Sequence, residues 1–150
     1  PCGLRRKIMI LDSLLKFSDA QALTATADST NVIDLSNDRD IGIGEPMGIV
    51  ITVGVTADIT TGDETYQFQL ETDDNAAMSS STIIGDVTVA AASLTAGDKV
   101  VIPLGHSNER YLQVIYTLGG TTPSVTVDAF LQPLSMIDGT VTYASGYSIT

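Results

Sequence analysis

From Thr30 onward, apolar and polar side chains alternate with a period of two, most cleanly in two stretches. In residues 65–72, Tyr66, Phe68 and Leu70 fall on one side and Gln67, Gln69 and Glu71 on the other. In residues 109–118, Leu112, Val114, Tyr116 and Leu118 share one side, and Tyr111, Gln113, Ile115 and Thr117 the other. That period belongs to a strand, whose successive side chains point to opposite faces. One dry face and one wet face is what an antiparallel sandwich requires. Further strands are expected at 31–35, at 47–55 with Ile49, Ile51, Val53 and Val55 on one face, and at 81–90 with an interruption at Gly85-Asp86. Others are expected at 99–104, at 124–131 with Val125, Val127, Ala129 and Leu131 inward, and, more weakly, at 140–143. Gly, Pro, Asn and Asp separate these segments, and Gly119-Gly120-Thr121-Thr122-Pro123 is a turn by its chemistry. The pattern predicts an all-β fold, an antiparallel β-sandwich or jelly roll of about eight strands.

Residues 8–27 break the pattern. Leu11, Leu14 and Leu15 have helical spacing, and Asp12 favours a first turn. Ser18 and Gln21 have the spacing of a capping box, but Leu23-Thr24-Ala25-Thr26 continues a helix poorly. The segment reads as a short N-terminal helix or irregular arm followed by extended chain, either folded back on the core or docked on a neighbouring subunit. The expected division is an N-terminal arm at 1–29, a β-sandwich (jelly-roll) domain at 30–138 and a C-terminal extension at 139–150.

Composition agrees with strands. Thr, Ser, Val, Ile and Gly abound, 43% of residues are hydrophobic and 17% charged, which is too apolar for a disordered tail. The 150 residues make one domain with a core of its own. Charge narrows the partners. The net charge is −11, from 18 acids and 7 bases. Setting aside Arg5, Arg6 and Lys7 leaves 4 bases against 18 acids, or −14. Such a body is repelled by phosphate, so no nucleic-acid binding is expected of it. The basic cluster reads as a solvated terminus, with contact to nucleic acid or an acidic neighbour as the alternative. Cys2 is the single cysteine, so no internal disulfide forms, and assembly in a cytoplasm is the simplest case. Arg5-Arg6-Lys7, the apolar residues after it and Ala20-Gln21-Ala22 imitate a signal peptide, but Asp12 and Lys16 interrupt the run. No apolar run approaches the ~20 residues of a membrane span, and no membrane partner is expected.

Chemistry does not converge. His106 is the one histidine, in the loop Gly105-His106-Ser107-Asn108, without a nucleophile elbow or a second metal-ligating histidine. Asp38, Asp40 and Glu45 share one loop, and Asp73-Asp74-Asn75 lie in another. Neither run has the spacing of a calcium-binding loop. Gly42-Ile43-Gly44 lacks the helix that a dinucleotide fingerprint needs. The expectation is a structural protein, not an enzyme, with no catalytic residue, metal or cofactor.

Met9-Ile10-Leu11-Asp12-Ser13-Leu14-Leu15-Lys16-Phe17-Ser18-Asp19-Ala20-Gln21-Ala22 resembles the start of the capsid cement (decoration) proteins of podovirus-type tailed phages, the group typified by a Bordetella phage. The likeness continues through Asn31-Val32-Ile33-Asp34-Leu35, Arg39-Asp40-Ile41-Gly42 and Gly44-Glu45-Pro46. It returns at Ile102-Pro103-Leu104-Gly105, Glu109-Arg110-Tyr111-Leu112, Gly119-Gly120-Thr121-Thr122-Pro123 and Val125-Thr126-Val127, and covers about residues 9 to 138. The resemblance implies a jelly roll on the outer face of an assembled head, made in the host cytoplasm and carried on the virion. It implies a homo-oligomer, dimer or trimer, that clamps neighbouring major capsid proteins. Residues 1–8 and 139–150 lie outside the family's pattern.

The residues expected to reach partners are Leu11, Leu14, Leu15 and Phe17 in the arm and Tyr143 and Tyr147 near the other terminus. A truncation starting at Leu23 is expected to lose head binding and keep the domain folded. The rival reading is a carbohydrate- or receptor-binding β-sandwich of a phage fibre or surface adhesin. The absence of tryptophan and an aromatic content of 5% weigh against it.

Overall fold

The two cleanest alternating segments lie side by side at the centre of one sheet. The computed structural model describes residues 12–41 and 43–137. In chain order its strands are β1 (Lys16–Leu23), β2 (Ala27–Asp28), β3 (Ile33–Asp34), β4 (Met47–Val55), β5 (Thr65–Asp73), β6 (Thr82–Ala90), β7 (Lys99–Pro103), β8 (Tyr111–Gly119) and β9 (Val125–Pro133). They form two antiparallel sheets, a β-sandwich as the alternation predicts: β1-β9-β4-β7, and β2-β8-β5-β6 with β3 also paired to β8. Helical structure among the described residues is confined to 3-10 turns at Ser13–Leu15, Ala91–Ser93 and Leu134–Met136.

The core forms where the dry faces meet. Tyr66, Phe68 and Leu70 of β5 and Leu112, Val114 and Tyr116 of β8 pack against Ile49, Ile51 and Val53 of β4 and Val125, Val127, Ala129 and Leu131 of β9. Each fully buried aliphatic or aromatic side chain contributes roughly 1.5–3 kcal/mol. Phe68 meets Tyr116 edge to face, with ring centroids 5.7 Å apart and planes at 79°, which puts positive ring edge against negative ring face. One facing assignment changes, and one outer face is drier than expected. A register shift between Val53 and Val55 turns Val55 out to solvent, away from the buried face it is expected to share with Ile49, Ile51 and Val53. Glu71 shares the outer face with Gln113 as expected, yet both are buried. The expected interruption at Gly85-Asp86 is a bulge in a continuous β6, where the register shifts between Leu70 and Glu71.

The arm expectation needs correction. Residues 16–23 are not a detached arm but β1, paired along β9, and Ala27–Asp28 pairs with β8. Phe17 and Leu23 are buried in the core, so Phe17 offers no surface to a neighbouring protein. Two register shifts, between Lys16 and Ser18 and between Ser18 and Gln21, let adjacent Phe17 and Ser18 both turn inward. The spacing of Ser18 and Gln21 reports a bulge, not a helix: Ser18 Oγ donates to Gln21 Oε1 at 2.6 Å and shares a 2.7 Å hydrogen bond with the Tyr116 hydroxyl. Gln21 Nε2 donates to the Asp28 carbonyl at 2.8 Å, and Gln21 Oε1 accepts from Thr30 N at 3.1 Å. The only helical feature before β1 among the described residues is the single 3-10 turn Ser13–Leu15, which Asp12 caps by accepting from Leu14 N at 3.0 Å. Leu11, the weak strand at 140–143, the extension, Tyr143 and Tyr147 lie outside the described residues.

Candidate interaction surface

The register places the loops at two ends. Lys16 pairs with Phe130, Met47 with Pro133 and Gly48 with Pro103, so β1 and β4 begin where β7 and β9 finish. In the other sheet Asp73 pairs with Tyr111 and Thr72 with Thr82, so β6 and β8 begin where β5 finishes. Gly85 lies against Ile102 and Pro103, which brings these ends of the two sheets together. This first end carries the turns Ser13–Leu15 and Leu134–Met136 and the loops 35–46, 74–81 and 104–110. The second end carries 56–64, 91–98 and 119–124.

Side-chain pairs hold the first end in place. Arg110 Nε and Nη2 donate to the two carboxylate oxygens of Asp34 at 2.7 and 2.8 Å, a bidentate pair that fixes β3 to the start of β8. The Arg110 guanidinium lowers the Asp34 carboxyl to about 2, helped by the Ser36 N–H, and Arg110 also lies 5.0 Å over the Tyr111 ring. His106 Nδ1 meets Asp40 Oδ2 at 2.5 Å, tying loop 104–110 to loop 35–46. Ser135 donates to Glu45, and Leu134 N donates to the Pro46 carbonyl at 2.7 Å. His106 is therefore an exposed loop histidine whose Nδ1 lies against the Asp40 carboxylate. Its neighbour Ser107 bonds Thr72 at 3.1 Å and accepts from Glu109 N at 3.2 Å rather than facing the imidazole. No group of three or more His, Cys, Asp or Glu able to hold a metal exists among the described residues.

What the first end presents instead is apolar surface. Leu14 is 78% exposed, Ile43 77% and Met136 62%, and all three stand at this end, with half-exposed Ile83 at the start of β6. Leu15, by contrast, packs against the core. Of the bases within the described residues, Lys16, Arg39 and Arg110 are also here, and only Lys99 lies near the other end. Chain order gave Leu14 and Leu15 but not Ile43 or Met136, which are lone apolar residues in loops with no periodicity to mark them.

Hydrogen bonds hold carboxylates in place at both ends. Asp58 is held below the ordinary carboxylate range by the Thr60 hydroxyl and N–H, Asp63 by Thr61 and Thr121, and Glu64 by the Thr61 hydroxyl. At the first end Asp73 is lowered in the same way by the N–H groups of Ser80 and Asn75. A carboxyl lowered in the folded state stabilises the fold fully above its unfolded value, near ~4, and loses that contribution as pH falls through its folded value. For Asp34 that folded value is about 2. The urea midpoint is expected to stay level from about pH 7 to 5 and to fall between about pH 4 and 2. A midpoint that does not change across that acid range, followed by circular dichroism, contradicts these assignments.

Exposed aromatic platforms are missing among the described residues. Phe17, Tyr66, Phe68, Tyr116 and Phe130 are buried, and Tyr111 carries Arg110 over its ring. Residues 17–131 match the family described as Bbp16, a name that suggests a Bordetella phage protein. No curated protein matches the chain.

Proposed function

The chain belongs to the Bbp16 family, and from that premise we propose that it is a capsid cement protein. It binds the outer surface of an assembled phage head, joins copies of itself, and clamps neighbouring major capsid proteins without catalysing a reaction. The observation that carries this reading is that Leu14, Ile43 and Met136, the most exposed large apolar side chains among the described residues, all stand at one end of the sandwich. Apolar side chains at the tip of a rigid domain gain free energy when a partner covers them. The first end holds Lys16, Arg39 and Arg110 among acids that include Asp38, Asp40, Glu45 and Asp74, while the second end displays Asp58, Asp63, Glu64 and Asp98. In this reading the apolar first end faces the capsid and the second end faces solvent. Binding only to the assembled lattice stabilises that lattice by mass action, and several weak contacts per oligomer add through avidity.

Heads carrying only the major capsid protein, mixed with purified chain and sedimented, test the orientation. The double variant Leu14→Glu with Met136→Glu is expected to weaken occupancy about tenfold or more, because each burial is worth roughly 1.5–3 kcal/mol. Ile59→Glu, at the second end, is expected to leave occupancy as it was. The reverse ranking of the two variants overturns the orientation, and wild-type chain that never sediments with heads overturns the cement reading.

A further inference from the structure

An open sheet ends in strands with unpaired backbone groups, and folded proteins blunt such edges with bulges, charges, proline or short length. Among the described residues, three of the four edges are blunted. β1 carries two register shifts, Ala20 at φ 46° and the Lys16–Asp19 ion pair at 2.6 Å. β7 spans Lys99–Pro103, starting on a lysine and ending on a proline. The β8 side of the second sheet is flanked only by the two-residue strands β2 and β3.

The fourth edge, β6, is protected over only part of its length. The segment after β7 crosses its beginning so closely that a Cβ on Gly105 would lie 2.2 Å from the Ile84 carbonyl oxygen. Beyond that crossing the register is regular, from Gln69 opposite Asp86 to Thr65 opposite Ala90. Residues 86–90 pair with β5 on one side and with no strand on the other among the described residues. They read Asp86-Val87-Thr88-Val89-Ala90, with no proline, no lysine and one charge. Val87 and Val89 lean on the core, and Asp86, Thr88 and Ala90 are exposed.

We propose that this edge pairs antiparallel with the same edge of a second copy, about a two-fold axis at Thr88. The sequence is self-complementary in that register. Thr88 faces Thr88 of the second copy, Val87 faces Val89, and Asp86 faces Ala90, so no two like charges stand opposite each other. Thr–Thr and β-branched pairs are favourable cross-strand partners. A two-fold contact requires that the same patch complement itself. The two central sheets then join into one continuous sheet, β2-β8-β5-β6 running on into its copy in reverse order. This pairing deepens the self-association included in the cement reading and rests on that reading for its use on a head.

Sedimentation velocity of the full chain over a concentration series tests it. Wild-type chain is expected to dimerise. Thr88→Lys sets two lysines opposite each other on an exposed site, and is expected to weaken the dimer at least about tenfold, since like charges directly opposite destabilise a pair. Ala90→Lys sets a lysine opposite Asp86 of the second copy twice per dimer, and is expected to tighten it a few-fold at low salt, with the gain lost at high salt. Circular dichroism and thermal melting of both variants report that the fold is kept. A wild-type chain that stays monomeric at the highest soluble concentration overturns the pairing. So does a dimer indifferent to Thr88→Lys, or one that Ala90→Lys weakens as much as Thr88→Lys does. Head occupancy is read separately: a dimer that fails to bind heads sinks the cement reading alone, and a monomer that binds them sinks the pairing alone.

Discussion

Removing residues 1–22 is expected to abolish the cooperative unfolding transition, not to yield a folded domain that has lost a contact. The truncation takes away all of β1 but Leu23, and with it the strand that pairs with β9 on that side of its sheet. Phe17 goes with it, and loss of a buried phenylalanine side chain alone costs about 3–5 kcal/mol. Ser18 goes too, which leaves the buried Tyr116 hydroxyl without its 2.7 Å partner. An orphaned buried polar group costs about 1–3 kcal/mol more. Burial already pushes that hydroxyl's pKa above the ordinary tyrosine range, so ionisation offers it no relief. The inward side chains Val127 and Ala129 of β9 lose cover at the same time. Single domains hold only about 5–15 kcal/mol in all, so these losses together are of the size of the whole. Phe17→Ala serves as the milder version, expected to stay folded with a lowered urea midpoint. A truncated chain with a sharp transition at the wild-type midpoint would falsify the placement of β1 in the core.

The contrast between β1 and β5 shows what local sequence carries. β5, β8 and β9 are regular strands between one wet and one dry surface, so their side-chain period survives in the sequence and their inward residues could be named from it. β1 obeys the same physics, but its two bulges put Phe17 and Ser18 inward as neighbours and delay the next core residue to Leu23. No period of two or of 3.6 fits such a string. Ser18 and Gln21 then mimic a helix cap because a bulge brings the two side chains as close as a helical turn does. Val55 failed for a related reason, since a single register shift flips a residue to the other face. The exposed apolar end was legible only at Leu14. Ile43 and Met136 join it through the pairing of Met47 with Pro133 and the Ser135–Glu45 hydrogen bond, contacts between residues about 90 positions apart. Nothing local encodes such a meeting; it follows from strand order, which the alternation leaves open.

Gly120→Ala is expected to destabilise the domain by about 2–6 kcal/mol, as the sum of two costs. Gly120 sits at φ 95° in the turn between β8 and β9, a conformation that costs a side-chain-bearing residue about 1–3 kcal/mol. A methyl there would also lie 2.5 Å from the Asp63 carbonyl oxygen and 2.7 Å from Glu64 Cα. Both neighbours are backbone, and the loop that owns them cannot yield easily. Asp63 accepts from Thr121 N at 3.0 Å, and Glu64 accepts from Gly62 N at 2.8 Å. Relieving that overlap costs about a further 1–3 kcal/mol. Gly62 separates the two terms, because it shares a positive φ of 78° but has nothing within 4 Å of an added Cβ. Gly62→Ala should therefore show the conformational cost alone and keep the higher urea midpoint of the two variants. Equal midpoints would mean that loop 56–64 moves aside freely, and that the hydrogen bonds from Thr121 and Gly62 do not hold the second end rigid. Because that end is turned away from the capsid in the proposed orientation, the folded fraction of Gly120→Ala should still occupy heads as wild type does.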